Sequence, residues 1–509
     1  MREGIGVAIS GGGHRASLFG LGALLYLADS GKNHQVRLIA SVSGGSLTNG
    51  SVAQSVDFRA VQAGQFEEAL RPFAHRLAQS GTFMDAPLTL RYRNVLLLTL
   101  ALAAGPAWLL PVSRWIRLAI TLGLVLVWTL LVLSPLFATA VGKAYGVLLG
   151  TGLYAAAVPL WLVPVAAFLR FLLVFAALMV WVSAVFELRG RVCAHAFRTT
   201  LFSPGGQVTS LSQIKGDLDH VICATELQSG EQLYFSRSFV YGYRFGRGDP
   251  AGLPLYTAVQ ASACLPGAFP PRWLPTRAHG FAYQSPDCPT GDDRLEGVPA
   301  HLVLTDGGVY DNMADQWAQG FSARLECWPG LEEEHYEPEE LIVVNASAGL
   351  GMRPMRRAWI PAFGELAALW KDKDVLYDQT TAIRRQGLVG RFDRAELQKK
   401  GLRGALVHIP QSPFEVPDTF IDRGEWPDRR RWAHEALEAL GDTSENRKDW
   451  EAVARADAAV GTVLNRLGTE VSARLLHHGY VLAMINLHVI LGYPLLPMPG
   501  PDRFVEFVS

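Results

Sequence analysis

The chain has 509 residues with 46 lysines and arginines against 47 aspartates and glutamates, so its formal net charge is −1. So even a balance carries no electrostatic footprint for nucleic acid, and no nucleic-acid partner is expected. The five cysteines, Cys193, Cys223, Cys264, Cys288 and Cys327, are odd in number and lack C-x-x-C spacing, which argues against a disulfide framework or a zinc site and for free thiols in a reducing compartment.

Gly4 to Ser10 reads as a first strand that begins almost at once, so no cleaved signal peptide is expected. Gly11-Gly12-Gly13-His14-Arg15 follows, and then a helical run from Ala16 to about Ala28. Three successive glycines leave backbone N–H groups uncovered at a helix start, an arrangement that binds anions. The same residues with Ala16 also fit the G-x-G-x-x-G/A pattern of dinucleotide binding, but that reading requires an acidic residue closing the second strand, where this chain has Ser41, Val42 and Ser43.

Arg37 to Val42 reads as that second, buried strand, and Ser43-Gly44-Gly45-Ser46 opens a helix directly from it. Such a handover strains the corner residue and exposes its side chain, and it needs small neighbours, here Ser41 and Gly45. Ser43 is therefore a candidate nucleophile, with the Gly44 N–H as an oxyanion donor at the positive end of the helix. The competing reading is a plain small-residue turn.

Between Asn94 and Phe186 only Arg114, Arg117, Lys143 and Arg170 carry charge. Stretches of roughly 18 or more apolar residues are spanning candidates, and four helices are expected at Val95–Val112, Leu118–Val141, Tyr145–Leu169 and Phe171–Phe186. A buried helical hairpin or a lid resting on the membrane is the alternative. Arg91, Arg93, Arg189 and Arg191 flank the block, with Lys143 on the same side under four spans, and place both flanks in the cytoplasm.

His301 to Asp306 reads as another strand, ending in Gly307-Gly308. Its last residue, Asp306, is a candidate base for Ser43, since a serine hydroxyl is a weak nucleophile unaided. A nucleophile before the insertion and a base after it require an even number of crossings.

Gly11-Gly12-Gly13-His14-Arg15, Ser41-Val42-Ser43-Gly44-Gly45 and Asp306-Gly307-Gly308, in that order, resemble the patatin-like phospholipases. Ala224 to Gly230 with Tyr234-Phe235-Ser236, and Ala258 to Pro271, resemble that family as well; together the blocks cover about a third of the chain. The resemblance implies an α/β fold with a three-layer core and a mostly parallel sheet, interrupted by the apolar insertion. It implies a Ser43–Asp306 dyad, an oxyanion hole at Gly11, Gly12, Gly13 and Gly44, and support from Gly307 and Gly308. Arg15 matches the family's basic residue, which holds the loop or the oxyanion; an ordinary surface ion pair is the alternative. The family's elbow begins with glycine, where this chain has Ser41.

Towards the C-terminus, Glu340 to Ala346 and Ala405 to Ile409 read as strands, Pro361 to Arg385 as a helix, and Gly461 to Leu491 as an amphipathic helical stretch. His408, His477 and His478 are candidates for a Ser-His-Asp triad, which the elbow disfavours because only one strand precedes the nucleophile strand. Asp428-Arg429-Arg430-Arg431 reads as a solvated helix face, with contact to anionic lipid as the alternative. The expected organisation is a catalytic domain in two parts, 1–90 and 191–415, around a membrane insertion at 91–190, with a helical region at 416–509. The expected function is cleavage of phospholipid or acylglycerol esters without metal or redox cofactor, under an unidentified activator or regulatory partner. A membrane-anchored binding or signalling module on a hydrolase fold is the alternative.

Overall fold

A computed structural model describes residues 4–83, 88–94, 113–116, 180, 183, 187–203, 206–281, 299–326, 328, 330–347, 361–424 and 426–509. The chain divides into two compact units, one formed by residues 1–84 and 197–509 and the other by 85–196. In the smaller unit, residues 88–94 and 187–196 are helical. Most of the four expected membrane helices falls outside the described residues. Among the described residues, no helix is long and apolar enough to cross a membrane.

The larger unit is an α/β fold around a ten-stranded mixed sheet. In chain order its strands are β1 (Ile5–Ile9), β2 (Val36–Val42), β3 (Asp219–Glu226), β4 (Glu231–Phe235), β5 (Val240–Gly242), β6 (Gly246–Gly248), β7 (Arg272–Pro275), β8 (His301–Asp306), β9 (Glu340–Asn345) and β10 (Arg403–His408). Five consecutive strands, β10-β9-β1-β2-β3, are parallel, as the sequence leads one to expect. The sheet continues antiparallel through β4, β5 and β6, while β8 pairs antiparallel with β3 and β7. Parallel strands need covered faces, and their near-continuous runs of Val, Ile, Leu and Ala are the sequence sign of it.

Among the described residues, the helices that pack around this sheet are α1 (Gly13–Asp29), α2 (Gly44–Ser55), α3 (Ala63–Gln79), α4 (Leu255–Ser262), α5 (Pro361–Gln398), α6 (Pro427–Leu440), α7 (Ser444–Ala458), α8 (Thr469–Leu491) and α9 (Pro501–Val508). Alternation along the strands sorts the core into two faces. Ala8, Leu38, Ala40, Val42, Val221, Cys223, Leu341 and Val343 pack with Trp317, Trp328, Phe239, Tyr241 and, from α5, Leu388 and Phe392. On the other face Ile9 meets α1, whose Gly20 leaves room for it. Behind α1 lies α8, buried along most of its length rather than amphipathic. The two backbones touch where Gly22 faces Tyr480 and Gly479 faces Phe19; a Cβ on Gly22 would lie 2.9 Å from the Tyr480 nitrogen. This close crossing makes the C-terminal helices part of the same core.

Candidate active site

Ser43 stands at the corner between β2 and α2 with φ 51° and ψ −117°, a conformation that costs an L-residue free energy and survives only when its surroundings hold it. Three contacts do so. The Ser43 N–H donates to Ser262 Oγ at 2.9 Å, the Gly45 N–H donates to the Ser10 carbonyl at 3.1 Å, and the Ser46 N–H donates to the Ser43 carbonyl at 3.0 Å. Ser262, the last residue of α4, passes the restraint on by donating to the Cys223 carbonyl at 2.6 Å. Ser41 is more than a small residue in place of glycine: its buried hydroxyl donates to the Val221 carbonyl at 3.3 Å and accepts from Asn49 Nδ2 at 2.9 Å and Ser46 Oγ at 3.1 Å.

The glycine loop divides by role. The Gly11 N–H donates to the Asn312 carbonyl at 3.0 Å, so Gly11 is not a free oxyanion donor, contrary to the sequence-based expectation. Its lack of a side chain matters instead: a Cβ there would meet Asn312 Oδ1 and stand 3.2 Å from Ser43 Cβ. The N–H groups of Gly12, Gly13 and Gly44 have no acceptor among the described residues. Gly13 begins α1 and Gly44 begins α2, and a Cβ on Gly44 would lie 2.6 Å from the Gly13 nitrogen. Two helix N-termini therefore converge beside Ser43, which concentrates unpaired donors and positive dipole ends at one point.

Asp306 arrives by an unexpected route. The strand β8 runs antiparallel to β3, with Asp306 opposite Ala224, while β2 runs parallel to β3 with Val42 opposite Cys223. Strand β4 occupies the other edge of β3 from Ile222 to Glu226, so β2 and β8 lie on the same edge and meet end to end. The Asp306 N–H donates to the Cys264 carbonyl at 3.1 Å, and Thr225 Oγ1 donates to the carbonyls of Asp306 and Gly307 at 3.0 and 3.2 Å. Carboxylate oxygen Oδ1 accepts from the Gly308 N–H at 2.9 Å and from the Tyr377 hydroxyl at 3.3 Å. No hydrogen bond joins the Ser43 hydroxyl to Asp306 among the described residues. Their surroundings are shared, since Asn312 Oδ1 abuts both Gly11, against Ser43, and Gly308, beside Asp306.

Gly307 and Gly308 are both needed for close approach. A Cβ on Gly307 would lie 2.8 Å from the Cys223 carbonyl carbon, and one on Gly308 2.9 Å from Tyr377 Cζ. Beyond them Asp311 accepts from the N–H groups of Met313 and Gln316, both at 2.9 Å, and Arg384 of α5 bridges Asp311 and Asp315 at 3.3 and 3.1 Å. Burial, and then Asp311, push the Asp315 carboxyl up to about 8.

Arg15 is neither a surface ion pair nor bonded at the oxyanion loop. It is buried and donates through Nη1 to the carbonyls of Ala458 and Val460 at 3.1 and 2.6 Å, capping the C-terminal end of α7. Burial draws its pKa down to about 10, against the opposing pull of Asp457. The candidate histidines are all engaged elsewhere. His478 bonds Asp457 and the Gln411 carbonyl, His408 bonds the Ser347 carbonyl, and His477 stacks on Phe504. None of the three bonds Ser43, so these contacts give no support to a triad.

Among the described residues, no cluster of His, Cys, Asp and Glu is arranged to hold a metal ion, and Cys193, Cys223 and Cys264 form no disulfide. No known family model and no curated protein matches the chain. Ser262, Asn312 and Tyr377 were not singled out by sequence reasoning. The first two lie inside or next to segments that carry the family resemblance, whereas nothing local marks Tyr377.

Proposed function

We propose that the protein is a serine acyl hydrolase of the patatin-like kind, using a Ser43–Asp306 dyad on phospholipid or acylglycerol esters. The observation that carries this reading is the convergence of a strained Ser43, the unpaired N–H groups of Gly12, Gly13 and Gly44, and the carboxylate of Asp306 at the meeting point of β2 and β8.

Asp306 takes the proton from Ser43 Oγ as that oxygen attacks the ester carbonyl. The tetrahedral oxyanion is stabilised by the three backbone donors and the two helix dipoles, which need no reorganisation as charge develops. Collapse of the intermediate expels the alcohol, protonated by Asp306, and leaves an acyl-Ser43. Water, deprotonated by Asp306, then releases the free fatty acid. Exposed apolar residues next to the catalytic segments, Val309 and Tyr310 after Gly308 and Val375 and Leu376 before Tyr377, support an apolar acyl substrate. The apolar stretch from Asn94 to Phe186 supports a multi-pass membrane protein whose hydrolase part faces the cytoplasm, so that substrate is already at hand in the bilayer.

The test is fatty acid release from mixed phospholipid bicelles by the detergent-purified protein, beside Ser43→Ala and Asp306→Ala. The expected result is release that both substitutions abolish while the variants keep their fold. Release unchanged by either substitution overturns the dyad, and no release by the wild type moves the weight to a membrane-anchored binding module.

A further inference from the structure

The catalytic reading takes all its groups from β1, β2 and β8 and their turns. One further side chain reaches the same place from the far C-terminal half of the chain. Tyr377, on the 38-residue helix α5, donates its hydroxyl to Asp306 Oδ1 at 3.3 Å. The oxygen it touches also accepts from the Gly308 N–H at 2.9 Å. Gly308 has no side chain at the point where one would strike the Tyr377 ring, so the phenol's approach is built into the turn.

The helix that carries Tyr377 is itself anchored to the turn. Arg384 lies seven residues further along α5, which places it on the same helix face two turns away. It is the residue that bridges Asp311 and Asp315, and Asp311 is five residues after Asp306. The next two turns bring Leu388 and Phe392 into the core under the sheet. One face of α5 thus docks through an ion pair and an apolar contact, and it presents Tyr377 to the carboxylate as a consequence. Burial first, and the neighbouring Asp306 second, raise the Tyr377 phenol well above its usual range, so at neutral pH it is protonated and able to donate.

Resting on the dyad reading, we propose that Tyr377 is a positioning residue for catalysis: with the Gly308 N–H it holds Oδ1 of Asp306 and fixes the carboxylate in the orientation that accepts the Ser43 proton. The bond does two things. Fixing the rotamer raises the rate, because a base is effective only when aligned with the proton it takes. Donating to the charged carboxylate favours its ionised form, which keeps the base unprotonated to lower pH. Removing the hydroxyl therefore lowers the turnover number at the plateau and moves the acidic limb of the rate profile to higher pH. Among the described residues, Tyr377 itself and the Cys264 thiol act on this carboxyl, with Asp311 facing Tyr377 from the turn. Cys264 is pushed up to about 12 by burial and then by Asp306, so it stays neutral across the range of the measurement.

The experiment pairs kinetics with an assay that needs no catalysis. Hydrolysis of a p-nitrophenyl acyl ester by the full-length protein in detergent is followed from pH 5 to 9 for wild type and Tyr377→Phe, with Ser43→Ala and Asp306→Ala as blanks. The expected result for Tyr377→Phe is a kcat about ten-fold lower, a KM within two-fold, and an acidic limb displaced upward by about one pH unit, the size a single charge-assisted hydrogen bond produces. Superimposable profiles overturn the proposal while leaving the dyad intact. The second assay is a double-mutant cycle in thermal stability over Tyr377→Phe and Asp306→Ala. It is expected to show that the cost of losing the hydroxyl disappears when Asp306 is absent. Additive effects overturn the Tyr377–Asp306 contact whether or not the protein hydrolyses esters. Failure of the dyad reading is recognised separately, by activity that survives Ser43→Ala.

Discussion

Val42 and Asp306 stand opposite consecutive residues of β3, Cys223 and Ala224, on one edge of that strand. One strand enters from below and the other from above, and their C-terminal ends point at each other. The residue that follows Val42 and the residue that ends β8 are thereby forced into one neighbourhood by sheet hydrogen bonding, before any side-chain contact is considered. The nucleophile and base of the proposed dyad are placed by the most rigid part of the fold, which is where a reacting pair gains most from preorganisation.

The strained conformation of Ser43 leads to a stability measurement that is independent of any substrate. Glycine adopts a positive φ with little penalty, whereas serine and alanine do not. Ser43→Gly is expected to be more stable than Ser43→Ala by about 1 kcal/mol, the strain released less the added entropy of the unfolded glycine chain. Both variants are expected to be inactive. Equal urea midpoints for the two would mean that the corner is relaxed with any residue and that no strain is stored there.

What could be read from the sequence at this site is what is local. A strand that hands directly to a helix, with small residues around Ser43, has few conformations open to it, and the glycine loop before α1 has hardly more. The runs Glu340 to Ala346 and Ala405 to Ile409 read as strands for the same reason, being short and apolar with clear ends, and β9 (Glu340–Asn345) and β10 (Arg403–His408) match them to within two residues. The path of Asp306 was not legible. A strand ending in Asp-Gly-Gly looks alike whether it joins a sheet parallel or antiparallel, and only its pairing with Ala224, Thr225 and Glu226 decides. Arg15 and Tyr377 illustrate the same limit. Arg15 sits in the motif yet bonds carbonyls at Ala458 and Val460, and Tyr377 sits far from the motif yet bonds its acid. Contacts across 71 residues, as for Tyr377, or 443, as for Arg15, leave no periodicity behind. They are set by packing: for Arg15 by the Gly22 and Gly479 crossing that brings the C-terminal helices onto α1, and for Tyr377 by the docking of α5 through Arg384, Leu388 and Phe392.

Ser262 links the elbow to the strand beside it, taking the Ser43 N–H and giving its own proton to the Cys223 carbonyl. Ser262→Ala leaves a buried donor and a buried acceptor unmatched and is expected to cost about 2 kcal/mol. Because the donor it abandons belongs to the nucleophile itself, ester hydrolysis is expected to fall more than ten-fold at temperatures where the variant is still folded. Ser262→Thr keeps the hydroxyl and is expected to recover most of both losses. An alanine variant with full activity would show that the Ser43 N–H contact does not hold the elbow.

Arg15 ties the helix that follows the glycine loop to the C-terminal end of α7. Arg15→Met keeps much of the apolar stem but loses two charge-assisted bonds, for an expected loss of about 2–3 kcal/mol. The loss has an address as well as a size. Hydrogen exchange is expected to accelerate most in residues 455–463, where Arg15 bonds the Ala458 and Val460 carbonyls and the Val463 carbonyl accepts the His14 N–H. Uniform acceleration over the whole chain would instead indicate a global core defect.

Acid is expected to destabilise the fold well before carboxylates protonate. Burial lowers His220 to about 3 and His14 to about 4, the latter despite its bond to the Asn465 carbonyl, and His408 is drawn down to about 4 by burial and then by Arg385. Each is neutral in the folded protein at pH values where it would be protonated in the unfolded chain, whose histidines titrate near 6.5. The unfolded state therefore binds more protons between pH 6.5 and about 4. Stability is at its full value above pH 6.5 and falls as the pH drops through that window, by up to about 1.4 kcal/mol per pH unit for each histidine. His220 is the cleanest probe, since it is fully enclosed and its one bond, from Nδ1 to Asn49 Oδ1 at 2.7 Å, needs only a neutral donor. His220→Gln keeps a neutral donor and removes the titration. Urea midpoints measured at pH 7.0, 6.0 and 5.0 are expected to fall more gently for His220→Gln than for the wild type, the difference approaching one histidine's share. Parallel lines would show that His220 takes up its proton in the folded state as readily as in the unfolded one, and that its burial is not what makes the fold acid-sensitive.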